Sequence, residues 1–126
     1  MTSVAAGNND EATHQFFDFV NATPGAFDKL PADSRRVYLD NARTTPVQFK
    51  GPPPPQLTCW QLGAIKVPVT ITKGEMTRTW FRVLAENTNR CIPTSQLVTI
   101  KGAWHGAPQQ QTEAFNEALL AFLSRV

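Results

Sequence analysis

The second half of the chain alternates short apolar runs with stretches in which apolar residues recur at helical spacing. Val69–Thr72 and Leu97–Ile100 consist of β-branched residues and leucine, and each run ends at a Lys-Gly pair, which predicts two short buried strands. Helices are predicted over residues 79–89 and from Pro108 onward. Strands that alternate with helices in this order are expected to lie parallel, joined by a right-handed crossover.

Each predicted helix carries an apolar stripe that is expected to face the core. A loop with Trp104 and His105 lies between the second strand and the last helix. Ligands and catalytic groups of open α/β sheets gather in such loops, so His105 is the main functional candidate. The residues predicted to be buried on the two helices are Phe81, Leu84 and Ala85 on the first, and Phe115, Leu119, Phe122 and Leu123 on the second.

The first half of the chain is polar and is predicted to be helical. One helix, capped by Asn9 or Asp10, is expected to run to about Val20 after a frayed N-terminus. A second helix is expected over about residues 31–41, since a proline is tolerated in a first helical turn. Pro46 is expected to bend or end any helix that continues past it.

A run of four prolines, Pro52–Pro55, predicts a stiff, extended connector. Such a run can also be a ligand for a proline-binding module, but a spacer is favoured because Lys50 is the only basic residue placed beside it. A short helix capped by Thr58 is expected to follow. The predicted organisation is a helical segment with its proline-rich spacer over residues 1–56, and an α/β segment over residues 57–126.

Composition narrows the functional classes. The chain has 126 residues, 41% of them hydrophobic, and a formal charge of +2, with its basic residues scattered, so neither nucleic acid nor a membrane is an expected partner. No apolar run is long enough to span a bilayer, and no secretory pattern opens the sequence. Cys59 and Cys91 have no metal-type spacing, and we expect reduced, packed thiols in a cytoplasmic protein.

Three stretches in the second half resemble consecutive parts of the α/β-hydrolase fold. The stretch Ile65–Glu75, IKVPVTITKGE, looks like the penultimate strand of that fold. Leu97–Pro108, LVTIKGAWHGAP, is similar to the last strand and its histidine loop, and Glu113–Leu123 is similar to the closing helix. The polar helical stretch before Leu57 resembles part of the lid that many members carry. The implied fold is a partial α/β-hydrolase: two parallel strands with flanking helices, plus an N-terminal lid-like segment.

The resemblance implies a Ser-His-acid or Asp-His-acid hydrolase acting on an ester, an epoxide or a C–C bond. His105 would then be the general base, taking a proton from a hydroxyl or a water and returning it later. A carboxylate would have to hold the tautomer and the orientation of the imidazole. The alternative is that His105 is a loop histidine with no catalytic role.

The sequence departs from the family at the catalytic acid. The acid commonly follows the penultimate strand as Gly-x-x-Asp, and here the segment Gly74–Thr77 ends in threonine at that place. Glu75 lies two residues earlier and is the nearest candidate acid, although a surface glutamate is the alternative. Asp40 is a weaker candidate, and some family members carry the acid after an earlier strand, which would precede Met1.

The second departure is the nucleophile. The family places it in a Gly-x-Ser-x-Gly elbow, a strained turn between a strand and a helix. None of the serines has glycine two residues to either side, and no aspartate or cysteine stands in such an elbow. The serines are Ser3, Ser34, Ser95 and Ser124. We therefore expect the C-terminal portion of a hydrolase that is inactive alone.

Two other functional classes compete with this interpretation. One is a non-catalytic small-molecule-binding or interaction protein built on a hydrolase remnant, and the other is an unrelated small α+β domain. No cofactor and no metal are expected in any of the three. If an N-terminal half completes the hydrolase, the expected partner is a small-molecule substrate. Self-association through the open edge of a two-stranded sheet is a further expectation.

Overall fold

The computed structural model describes residues 2–125, and the side chains of residues 3–125. The chain forms two compact units, Met1–Pro55 and Gln56–Val126, and the boundary between them in the sequence follows the four prolines. The first unit is helical and the second combines helices with a parallel sheet. The mixed α/β class predicted from the sequence is therefore confirmed, whereas the assignment to the hydrolase fold stays a prediction.

The first unit consists of short helices. Three details differ from the prediction. Ser3 and Val4 are buried, so these residues are not frayed. The side chain of Asn8 is the cap, accepting a hydrogen bond from the Glu11 N–H. Pro46 lies in the first turn of a helix and does not end one, because a first-turn proline lacks only an N–H that has no helical partner. The helices are α1 (Thr2–Ala5), α2 (Asn9–Val20), α3 (Ala32–Asp40), a 3-10 turn (Ala42–Thr44) and α4 (Thr45–Lys50).

The second unit is a two-stranded parallel sheet with helices packed on it. The strands pair in parallel over six positions, from Val69 opposite Ser95 to Gly74 opposite Ile100, which confirms the predicted parallel arrangement. Thr58 caps α5 through a capping box with Gln61, as predicted for the cap. The elements are α5 (Cys59–Gly63), β1 (Val69–Gly74), α6 (Thr79–Cys91), β2 (Ser95–Ile100), α7 (Ala107–Gln110) and α8 (Thr112–Leu123).

The core of the second unit is small. Ile100, Ala103 and Ala107 are buried together, with Val98, Ala114 and Ala118 packed against them. Several residues predicted to face the core are instead exposed, because a sheet of two strands is too narrow to cover the whole apolar stripe of each helix. The exposed fractions are 58% for Leu84, 44% for Leu119 and 52% for Leu123. No described helix has the length and the apolar character to cross a membrane.

The two cysteines form a disulfide bond, so the prediction of reduced thiols is wrong. Cys59, the first residue of α5, is joined to Cys91, the last residue of α6, with the two Cα atoms 5.0 Å apart. The sequence could not reveal this pairing because 32 positions separate the cysteines and only the packing of α5 against α6 brings them together. The covalent loop that the bond closes contains α5, β1 and α6.

Candidate functional site

The candidate site is built where the two strands end side by side. The turn after β1 and the loop after β2 are joined by three hydrogen bonds, each 2.9 Å long. The Glu75 N–H donates to the Ile100 carbonyl and the Met76 N–H donates to the Ala103 carbonyl. In the other direction, the Gly102 N–H donates to the Glu75 carboxylate. These bonds fix the loop that carries His105 to the end of the neighbouring strand.

Gly74 allows this loop to cross directly over the end of β1. A Cβ atom at position 74 would lie 2.1 Å from the Trp104 carbonyl oxygen and 2.4 Å from that of Ala103, and neither backbone atom can yield. The loop itself turns at Gly102, whose φ of +66° is a conformation that favours glycine. The glycines of the two Lys-Gly pairs therefore serve different needs. Gly74 leaves space for the loop backbone, and Gly102 adopts a positive φ.

The imidazole of His105 lies on an aromatic stack. Its ring is stacked on Phe81 of α6, with the centroids 3.9 Å apart and the planes 20° apart. Trp80 stacks on Phe81 in turn, at 3.7 Å and 26°. His105 keeps contact with solvent, but partial burial lowers its pKa from the ordinary value of 6.5, because the charged form loses hydration. His105 is therefore mainly neutral near pH 7.

His105 opens onto a cavity of about 150 Å³ at the carboxyl ends of the strands. This volume suits a small molecule or a few waters. The lining combines an apolar wall with hydroxyl groups and one ammonium, and that ammonium, on Lys73, lies 3.5 Å from the carboxylate of Glu86. The lining residues are Thr72, Lys73, Gly74, Thr77, Phe81, Ala85, His105, Ala107 and Pro108.

The two predicted catalytic residues, Glu75 and His105, do not contact each other through an ion pair. Glu75 holds the Gly102 N–H, while His105 forms no ion pair with any carboxylate of the described residues. Thr77, which stands where the resemblance to hydrolases would place the catalytic acid, lines the cavity together with His105. Asp40 is an exposed residue at the end of α3 in the other unit. Within residues 2–125 no group of His, Cys, Asp or Glu side chains is arranged to hold a metal ion.

Three residues of the site were not singled out for it from the sequence. Phe81 was predicted as an ordinary core residue, because helical spacing shows which face it occupies and not which loop it meets. Lys73 and Gly74 were noted only as the end of a strand. A glycine at the end of a strand was the one available signal, since such a position often marks a close approach of another segment.

In comparisons with known proteins, no family model, no curated protein and no solved structure matches the chain. The resemblance to α/β-hydrolases rests on the three quoted stretches alone, and a functional assignment has to be argued from the site itself.

Proposed function

We propose that this chain is the C-terminal part of an α/β-hydrolase and that His105 is its general base. The proposal is supported by one observation above all: His105 lies in the loop that follows β2, on the wall of a cavity, where partial burial lowers its pKa. Polar groups that converge on a cavity at this edge of a parallel sheet are typical of the active sites of open α/β folds.

The chemistry of His105 fits a proton acceptor. A group that starts neutral near pH 7 can take a proton from a serine hydroxyl or from a water held in the cavity, and can later donate it to the leaving group. The nucleophile and the oxyanion donors would come from polypeptide outside these 126 residues. Glu75 remains the candidate acid within the chain, although its carboxylate is bound to the Gly102 N–H.

The chain alone is expected to hydrolyse p-nitrophenyl acetate no faster than buffer does. The nucleophile and the oxyanion hole normally supply several kcal/mol of barrier lowering, and a lone histidine supplies little. Turnover by the purified chain that disappears in His105→Ala would contradict a dependence on an external nucleophile. His14→Ala is the matched control, since His14 belongs to the helical unit.

The decisive test is to look for a Gly-x-Ser-x-Gly elbow in the DNA upstream of the Met1 codon, in the same or a neighbouring frame. If an elbow is encoded there, the two segments are expressed together and treated with a fluorophosphonate. Labelling of the elbow serine and ester hydrolysis should then both fall by at least about a hundredfold in His105→Ala, the lower end of a general base's usual contribution. His14→Ala should leave both within a small factor. Equal losses in the two variants would refute the assignment.

A non-catalytic small-molecule-binding protein is the second candidate function. It is favoured by the engagement of Glu75 with the loop backbone, which leaves His105 without an acid partner among the described residues. An upstream region without an elbow, together with chemical-shift changes of His105 on titration with small neutral ligands, would support this candidate over the hydrolase.

The compartment is a separate question. Disulfide bonds persist in oxidising compartments and are rare in the cytosol of most organisms. The cytoplasmic location predicted from the sequence rested in part on reduced cysteines, and the Cys59–Cys91 bond removes that support. We propose that the chain acquires this bond in an oxidising compartment.

A further inference from the structure

Three aromatic rings form a continuous stack that ends at the proposed base. The planes of Trp80 and Phe81 are 26° apart and those of Phe81 and His105 are 20° apart, with both centroid distances below 4 Å. Trp80 and Phe81 belong to the first turn of α6, whereas His105 lies in the loop after β2. The stack therefore connects a helix to a loop that is otherwise held by backbone hydrogen bonds to the turn after β1.

The stack constrains the imidazole in two ways. Contact with the face of Phe81 fixes the plane of the imidazole. This restricts the directions in which the two ring nitrogens can form hydrogen bonds. Phe81 and His105 both line the cavity, and the stack covers one face of the imidazole. The covered face also excludes water from one side of His105, which is the burial that disfavours the imidazolium.

We propose that Phe81 is the positioning residue for His105, holding the plane of the imidazole against α6 while Trp80 supports Phe81 from its other face. This inference rests on the proposed function, because positioning matters for a group that transfers protons in a fixed direction. Phe81 itself transfers no proton and is not a catalytic residue.

The test is a proton NMR titration of His105 in the full chain, with its resonances assigned by comparison with His105→Gln. A ring stacked on a benzene face has its protons shifted upfield by the ring current, so the carbon-bound protons of His105 should resonate upfield of their positions in the urea-unfolded chain. His14 is not a suitable reference, because its ring centroid lies 4.9 Å from that of Phe27. In Phe81→Leu the ring current should be lost, and the smaller side chain should cover less of the imidazole. The His105 protons should move downfield, and the pKa of His105 should rise towards 6.5.

Three further variants complete the design. Phe81→Tyr keeps an aromatic face and should restore the upfield shift and the low pKa of His105. Phe115→Leu removes a half-buried phenylalanine of α8 and should leave His105 unchanged. If Phe81→Leu fails to fold, Trp80→Leu at a half-exposed position should move the protons of His105 in the same direction by a smaller amount. An unchanged His105 in a folded Phe81→Leu protein, or an equal change in Phe115→Leu, would overturn the proposal.

The titration needs no hydrolysis, so its outcome is separable from that of the proposed function. If His105→Ala proves harmless in the completed enzyme while Phe81→Leu still shifts His105, the stack is real and the catalytic assignment fails. If the activity of the enzyme depends on His105, Phe81→Leu should also shift the acidic limb of the profile of kcat/KM against pH to higher pH. A profile unchanged in position, with only a uniform loss of rate, would mean that Phe81 has a merely structural role.

Discussion

The carboxylate of Glu75 accepts a hydrogen bond from the backbone N–H of Gly102 at 2.9 Å, and so joins the turn after β1 to the loop that carries His105. A carboxylate with this partner has a structural role whether or not it also takes part in catalysis. The two roles can be tested separately. The structural role needs only an oxygen that accepts the hydrogen bond from Gly102, whereas a catalytic acid needs a negative charge.

Glu75→Gln should therefore keep the stability, since glutamine retains an oxygen for the Gly102 N–H. It should also leave the pKa of His105 where it is, since no ion pair joins His105 to a carboxylate of the described residues. Glu75→Ala removes the acceptor and should lower the free energy of unfolding by about 1 kcal/mol, the usual net value of one hydrogen bond. Urea unfolding followed by tryptophan fluorescence measures the stability, and NMR measures the pKa. A clear fall of the His105 pKa in Glu75→Gln would show that the two groups interact through charge.

Tryptophan fluorescence is a selective probe for the second unit. All three tryptophans of the chain, Trp60, Trp80 and Trp104, lie within Gln56–Val126. Unfolding curves recorded in this way report on the unit that holds the candidate site, and changes confined to the helical unit do not enter the signal.

Gly74→Ala should destabilise the second unit by about 2 kcal/mol or more, the range of steric conflicts with fixed backbone. The new Cβ would meet the Trp104 carbonyl oxygen at 2.1 Å, so the histidine loop would have to move. Gly63→Ala is the matched control, because its Cβ would meet the Cys91 carbonyl oxygen at an ordinary 3.5 Å. The control should be neutral or slightly stabilising, since alanine favours a helix. Equal stabilities of the two variants would contradict the close approach at Gly74.

The low pKa of His105 predicts how the stability of the second unit depends on pH. The pKa is lower in the folded chain than its ordinary 6.5, so the unfolded chain binds the proton more readily. The free energy of unfolding is therefore unaffected by protonation of His105 above pH 6.5. It falls as the pH decreases from 6.5 towards the pKa that His105 has in the folded chain. Unfolding curves at pH 7.5, 6.5 and 5.5 should show wild type losing more stability than His105→Gln. Parallel losses in the two proteins would mean that the pKa of His105 is not lowered.

The disulfide should make a large contribution to the second unit. Closing a loop across 32 positions is worth about 3–4 kcal/mol through the entropy of the unfolded chain. Mass spectrometry after alkylation without reductant should find no free thiol, and the double variant Cys59→Ser, Cys91→Ser should unfold at a markedly lower urea concentration. Adding a reductant should bring wild type to the midpoint of the double variant and leave that variant unchanged. Two alkylated cysteines in the purified protein would contradict the bond.

The open sheet predicts self-association. Each strand of the second unit has one edge that no other described strand pairs with, and several leucines on the helices are exposed. Sedimentation should show a concentration-dependent dimer or larger species, with binding of a hydrophobic dye. Leu120→Lys, at a 65% exposed position of α8, distinguishes the two surfaces. Association that survives this change runs along a strand edge, and association that is lost runs through α8. A compact monomer without dye binding would contradict the prediction.

Local pattern was enough to predict most elements of the second unit. The two strands, their parallel pairing and the Thr58 cap follow from β-branched runs, from the alternation of strands and helices, and from the capping preference of threonine. The continuous helix predicted from Pro108 is instead two helices, because Gln111 has a non-helical backbone conformation between α7 and α8. No periodicity in the sequence marks that interruption.

What the sequence could not supply is contact between distant segments. The disulfide, the stack of Phe81 on His105 and the approach of the loop to Gly74 each join residues far apart in sequence, and no spacing rule connects them. The exposure of Leu84 and Leu119 has the same cause, since a helical stripe shows which residues share a face and not how wide the covering sheet is. The choice of His105 came from its place after a strand and still awaits a catalytic test.

The bond between Cys59 and Cys91 also determines how the chain responds to force. When the two ends are pulled apart, tension passes from Cys59 to Cys91 through sulfur, so β1 and α6 carry no load as they unfold. Those 32 residue steps would add about 110 Å of extension only after the bond is cut, at about 3.5 Å for each residue. A single molecule stretched in an optical trap should thus extend further after a reductant is added than before.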